Sequence, residues 1–294
     1  MYYWDYNMEI LINELSLKGQ FNNVEEFINI SLNQFVKIYS LLDNHNIHPL
    51  KNYNFYNVNI TPNETFNFLL TFKDKNGVSD EVRKFKRIAD KCIGEPYWEI
   101  DLKHNPNDEF KWKNEIVSNT SLAESYVRNS SLISFVPSSF NSDFLEIINN
   151  NIPKNVLNFH DILELAQYLY TNKKITFHQF CNVFFKDSKL CFINANQKES
   201  FDLILDENDE NEFFNSFKLF KEMNWNDILS QGGKGENKAG LAFEKYHNQK
   251  YFKNYYAPSD IYKFRCSQKF RAYGYRVGDI FYVLELDLTH KLSD

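Results

Sequence analysis

The stretch Ile261-Tyr-Lys-Phe-Arg-Cys-Ser-Gln-Lys-Phe-Arg-Ala-Tyr-Gly-Tyr-Arg-Val-Gly-Asp-Ile-Phe-Tyr-Val-Leu-Glu-Leu-Asp-Leu288 decides the reading of the fold. Its aromatic and β-branched residues recur with the period of strands. Three strands are expected, over residues 261–266, 270–277 and 280–288. The junction Val277-Gly278-Asp279-Ile280 leaves a two-residue Gly-Asp loop, the chemistry of a type I′ or II′ hairpin. In the third strand Ile280, Tyr282, Leu284, Leu286 and Leu288 should face the core, with Phe281, Val283, Glu285 and Asp287 opposite. The segment therefore reads as an antiparallel β-meander.

Charge is concentrated there. The chain has six arginines, of which Arg265, Arg271 and Arg276 lie in the meander. From Lys245 onward nine basic residues face five acidic ones, a net of +4, whereas the whole chain carries −6. Arginines interleaved with Tyr255, Tyr256, Tyr262, Tyr273 and Tyr275 suit a phosphate backbone with unstacked bases, because guanidinium groups pair with phosphates and rings stack on bases. The alternative is an ordinary half-exposed sheet with Arg and Tyr on its wet face.

Outward from the meander, helical periodicity takes over. A helix of about five turns is expected from Asn22-Asn23, with Val24, Phe27, Ile28, Phe35, Val36, Tyr39 and Leu42 on its core face. A second is expected over residues 79–93, where Val82, Phe85, Ile88, Ala89 and Cys92 form one stripe and Arg83, Lys84, Lys86 and Arg87 a solvated face. Residues 53–60 read as a strand, and Thr61-Pro62 as a cap opening a short helix. Further helices are expected at 120–133, 159–170, 176–185 and 210–231. The run Gln231-Gly-Gly-Lys-Gly-Glu-Asn-Lys-Ala-Gly240 lacks the spacing of a phosphate-binding P-loop and reads as a connector. The fold class is thus α+β, with a mainly helical domain over residues 1–188 and a module ending in the meander over residues 189–294.

The run from Tyr262 to Lys291 resembles the final sheet of the RelE/ParE-type bacterial toxin superfamily. Its Tyr-Lys-Phe-Arg strand, its Phe-Arg strand, the hairpin and the last apolar strand ending in His290-Lys291 carry the likeness. A strand at 189–193 and helices at 210–231 and 238–252 match the family's strand-helix-helix opening. The resemblance covers about residues 189–294 and implies metal-independent cleavage of mRNA, with basic residues stabilising a phosphorane-like transition state. Carried over by position, the catalytic set is Lys263, Arg265, Arg271, His290 and Lys291. Lys269, Tyr273, Tyr275 and Arg276 would contact nucleic acid. The implied partner is RNA, including ribosome-bound mRNA, or a cognate antitoxin.

Three departures keep a second function open. Glu285 and Asp287 bring negative charge beside the site, the family's closing segment is missing after Lys291, and the large helical portion has no place in a compact toxin. That portion resembles accessory proteins of bacterial anti-phage systems in general make-up. The alternative is a non-catalytic adaptor or subunit of a defence complex, docking on protein or nucleic acid through the basic sheet.

Composition limits the rest. At 294 residues, 43% apolar and 17% aromatic, the chain can bury a sizeable core and is not a disordered one. The start lacks a basic segment followed by an apolar one, and no apolar run approaches ~20 residues, so a cytoplasmic protein without membrane spans is expected. Cys92, Cys181, Cys191 and Cys266 lie far apart and read as reduced buried thiols. His45, His48, His104, His160 and His178 are expected to be capping or surface residues, none with a carboxylate at ligand spacing. No cofactor or metal is expected.

Overall fold

The computed structural model describes residues 8–73, 80–230, 240–255, 257–289 and 291–292. The chain forms two compact units that divide between Leu165 and Ala166, well before the boundary expected at residue 188. No helix among the described residues is long and apolar enough to cross a membrane.

The first unit contains more sheet than its sequence pattern suggests. Strands β1 (Ile10–Ile12), β2 (Phe110–Trp112), β3 (Glu115–Ile116), β4 (Ser131–Ile133), β5 (Phe144–Asn149) and β6 (Ile152–Phe159) assemble in the order β1-β4-β6-β5-β2-β3. The pairs β1–β4 and β4–β6 are parallel, whereas β6–β5, β5–β2 and β2–β3 are antiparallel. β1 and β4 are only three residues each and fully buried, so they show no alternation to be read.

Helices α1 (Val24–Phe27) and α2 (Asn33–Asn44) are joined by a π turn over Ile28–Leu32, giving the long helix expected from Asn22-Asn23. Asn23 caps it, its side chain accepting from the Glu26 N–H at 2.9 Å. Phe27, Phe35, Phe55, Phe66, Phe85 and Phe135 pack there in one aromatic core. Each such ring contributes about 1.5–3 kcal/mol by burial. Val82, Phe85 and Ala89 of α3 (Asp80–Ile93) join it, as their stripe requires.

Several expected elements differ. Residues 53–60 form no strand, because Asn side chains compete for the backbone: the Asn52 carboxamide accepts from the Asn54 N–H at 2.8 Å and a 3-10 turn follows at Phe55–Asn57. The helix expected at 120–133 stops early. α4 spans Ser121–Arg128, Asn129 takes a left-handed conformation (φ 55°), and the chain turns into β4. α5 (Ile162–Thr171) begins only after β6 has ended at Phe159.

In the second unit α6 (Phe177–Phe184) is opened by a capping box between Thr176 and Gln179. β7 (Leu190–Cys191), α7 (Glu207–Glu222) and α8 (Trp225–Ser230) follow, so the helix expected at 210–231 is broken at Met223, whose backbone is extended. The glycine-rich run at 231–239 lies outside the described residues. From residue 240 to 252 the chain forms no α-helix, but strand β8 (Glu244–Lys245) and a 3-10 helix, Gln249–Asn254. The meander is present as β9 (Ile261–Arg265), β10 (Arg271–Val277) and β11 (Ile280–Asp287), within a sheet ordered β7-β11-β10-β9-β8. β7 lies parallel to β11, and the other pairs are antiparallel.

Candidate nucleic-acid interface

Alternation along the meander sorts its side chains onto two faces. One carries Tyr262, Phe264, Gly274, Arg276 and Phe281 and packs on α7, where Phe220 meets the Phe264 ring at 4.8 Å and the Phe281 ring at 5.6 Å. The opposite face is built in three rungs. Arg265 lies beside Arg271, which lies beside Asp287; Lys263 beside Tyr273 beside Glu285; and Ile261 beside Tyr275 beside Tyr282.

The alternation expected in β11 breaks once. The register slips between Tyr273 and Gly274, leaving Leu284 as an extra residue, a β-bulge. Leu284 and Glu285 therefore share the three-rung face, and Leu284 packs with Tyr273 and Tyr275. Without the bulge Glu285 would have pointed toward α7.

The two acids expected to oppose a basic site, Glu285 and Asp287, are occupied internally. Glu285 is 3% exposed and accepts from the hydroxyls of Tyr251 (3.0 Å) and Tyr255 (2.7 Å). Burial pushes its carboxyl above the usual range, although the tyrosine bonds pull the other way. Burial and the bond to Glu285 push Tyr255 up to about 12. Asp287 accepts from the backbone N–H groups of Thr289, Lys291 and Leu292 at 2.9–3.1 Å, and so caps the turn that follows β11.

The cations divide into two groups. Arg276 is held at the hairpin end: its guanidinium lies 3.7 Å from the Trp225 ring centre, its Nε donates to the Gly278 carbonyl, and Asp279 lies 3.5 Å away. Lys263 is 15% exposed, pairs with Glu244 at 3.4 Å and sits over the Tyr246 ring. Neither presents an open charge. At the β9–β10 end, half-buried Arg265 and Arg271 stand side by side, with exposed Lys269 in the loop between their strands; exposed Lys291 follows β11, its N–H on Asp287. Arg271 donates to the Ser267 and Phe270 carbonyls, and burial together with Arg265 lowers its pKa below the usual arginine value.

The stacking role expected of Tyr273 and Tyr275 is corrected. Both rings are buried, at 0% and 2% exposure, because the Gln249–Asn254 helix brings Tyr251 and Phe252 over the face. The Tyr275 hydroxyl accepts from Asn194, and its ring stacks on Tyr282. His290 lies outside the described residues.

Two histidines also depart from expectation. His104 is buried, not superficial: Nδ1 lies 2.6 Å from Glu124, which also binds Arg128. His160 does have carboxylates at ligand spacing. Its Nδ1 lies 3.6 Å from Glu164 Oε2, four residues on, and with Asp143 the three ligand atoms fall within 4.8 Å of one another. The spacing His160-Asp-Ile-Leu-Glu164 is itself visible in the sequence, but Asp143 is brought there only by strand pairing.

No family model matches the chain, and no curated protein or solved structure is significantly similar to it.

Proposed function

We propose that the C-terminal unit binds single-stranded RNA through its phosphate backbone, at the β9–β10 end of the meander. The observation that carries this reading is the side-by-side pair Arg265 and Arg271 on one sheet face, with exposed Lys269 in the loop that joins their strands. Two adjacent guanidinium groups repel each other, and Arg271 is already partly desolvated. A bridging phosphate neutralises both and accepts bidentate bonds. Base stacking contributes little, since Tyr273 and Tyr275 are enclosed. The opening differs from the one that the resemblance to RelE/ParE-type toxins implies, since β8 and a 3-10 helix stand where its second helix is expected; a toxin-like or phage-defence setting remains part of this proposal.

Binding without cleavage is the form we propose. Tyr251 and Tyr255 are tied to Glu285 and their pKa values are raised, so neither is poised to take a proton at neutral pH. The test is anisotropy of a labelled single-stranded RNA titrated with the full chain, with fragments sought on a gel. Arg265→Ala with Arg271→Ala should weaken binding at least tenfold, Arg276→Ala should leave it unchanged, and no fragments should form. Equal binding by the double variant sinks the interface, and cleavage by the wild type sinks the non-catalytic form.

A further inference from the structure

We propose that Asp143, His160 and Glu164 bind a divalent first-row transition-metal ion at the carboxyl ends of the parallel strands of the first unit. Three observations converge on this point.

The first is position. β1, β4 and β6 run parallel, and the residues just beyond their carboxyl ends are Asn13, Ser134 and His160. Beyond β6 the sheet changes to antiparallel pairing with β5. The carboxyl edge of parallel strands is where open α/β sheets hold their ligands.

The second is preorganisation. The Asn13 amide donates to the Ser134 hydroxyl (2.8 Å), which donates to Asn158 Oδ1 (2.6 Å); the Asn158 amide donates to the Phe140 and Ser142 carbonyls. Asn158 is fully buried, and its N–H donates to the Asp143 carbonyl at 2.7 Å. Gln34 holds the other side, donating to the His160 carbonyl and to Asp161. The backbones of Asp143 and His160 are thus fixed by a satisfied polar network before any ion arrives.

The third is the state of the ligand atoms. His160 Nδ1 and Glu164 Oε2 are both shielded from solvent and have no hydrogen-bond partner. At 3.6 Å they are too far apart to satisfy each other. Leaving two buried polar atoms unmade is costly, and the Glu164 charge is disfavoured by burial and by Asp143 and Asp161, with His160 offsetting this only in part. An ion placed between them removes both penalties. Two ligand atoms each ~2.1 Å from one ion lie at most about 4.2 Å apart, so three atoms that all lie within 4.8 Å of one another need at most a small side-chain rotation to share it.

One imidazole nitrogen with two carboxylates selects zinc or manganese over magnesium and calcium, which prefer all-oxygen sites. Three protein ligands leave at least one coordination position, and Asp143 is exposed, so that position faces solvent.

The test is calorimetric titration of the chelator-treated full chain with zinc or manganese chloride at neutral pH. One saturable site is expected. His160→Ala and the milder Glu164→Gln should each weaken it at least tenfold, and His178→Ala, in the second unit, should not. Circular dichroism of each variant separates lost ligation from lost folding, and Asp143→Asn, at an exposed position, supplies a third probe. Absence of saturable uptake, uptake indifferent to all three substitutions, or preference for magnesium would overturn the proposal.

Discussion

Gly274 in the middle of β10 offers the sharpest test of the meander's construction. A Cβ built there would lie 2.0 Å from the Tyr282 carbonyl oxygen and 2.9 Å from the Phe281 ring. Ordinary contact begins at 3.4 Å, so relief requires β10 and β11 to part by more than an ångström beside the bulge. Two ladder bonds lost at about 1 kcal/mol each, with Phe281 pushed into the α7 packing at about 1–3 kcal/mol, give a cost near 3–5 kcal/mol for Gly274→Ala. Gly278→Ala is the internal control. That glycine has φ +58° and open space around it, so the cost is only the left-handed conformation, about 1–2 kcal/mol. Urea unfolding followed by circular dichroism measures both, as midpoint shifts at unchanged slope. If Gly274→Ala costs no more than Gly278→Ala, the described approach of Gly274 to Tyr282 is wrong.

Two further outcomes follow from buried charge. Glu124 accepts from His104 Nδ1, from the Lys103 and His104 N–H groups, and from Arg128, whose side chain is 4% exposed and also reaches Glu9. Burial opposes its charge, but these bonds outweigh burial and hold the carboxyl below its usual range. Glu124→Gln should cost about 3–5 kcal/mol at pH 7 by leaving Arg128 with an incomplete partner, and the loss should narrow as pH falls through the carboxylate range. Glu285 has the opposite sign. Its raised pKa means that the folded state holds the proton longer, so its contribution to stability falls as pH rises from 4.5 through the folded value. Glu285→Gln should remove that component, flattening stability against pH in urea titrations; an unchanged profile would contradict the burial described for this carboxyl.

What could be read from the sequence was local. The Gly278-Asp279 loop, the three strands around it and the Arg265–Arg271 face rest on turn chemistry and a period of two, both visible in a single stretch. The bulge at Leu284 was not, because it depends on how closely Gly274 approaches the neighbouring strand. The burial of Tyr273 and Tyr275 was hidden for a related reason. Residues 249–252 read as the end of an α-helix, whereas in the fold Gln249–Asn254 is a 3-10 helix lying over these rings. In the first unit β1 and β4 are buried three-residue strands that pair with each other across more than a hundred residues, so nothing nearby marked Ile10–Ile12 or Ser131–Ile133 as strands. The cluster at His160 divides in the same way: Glu164 follows at helical spacing, while Asp143 arrives through the β5–β6 register.

The salt dependence of RNA binding reads the number of phosphates held by Arg265 and Arg271. Each phosphate contact on a single strand contributes about −0.7 to the slope of log K against log salt, so Arg265→Ala with Arg271→Ala should make the slope shallower by about 1.4. Arg276→Ala should leave it as in the wild type, since that guanidinium is held by Trp225, Gly278 and Asp279. A slope unchanged in the double variant, or shifted equally by Arg276→Ala, would contradict a phosphate site at the Arg265–Arg271 pair.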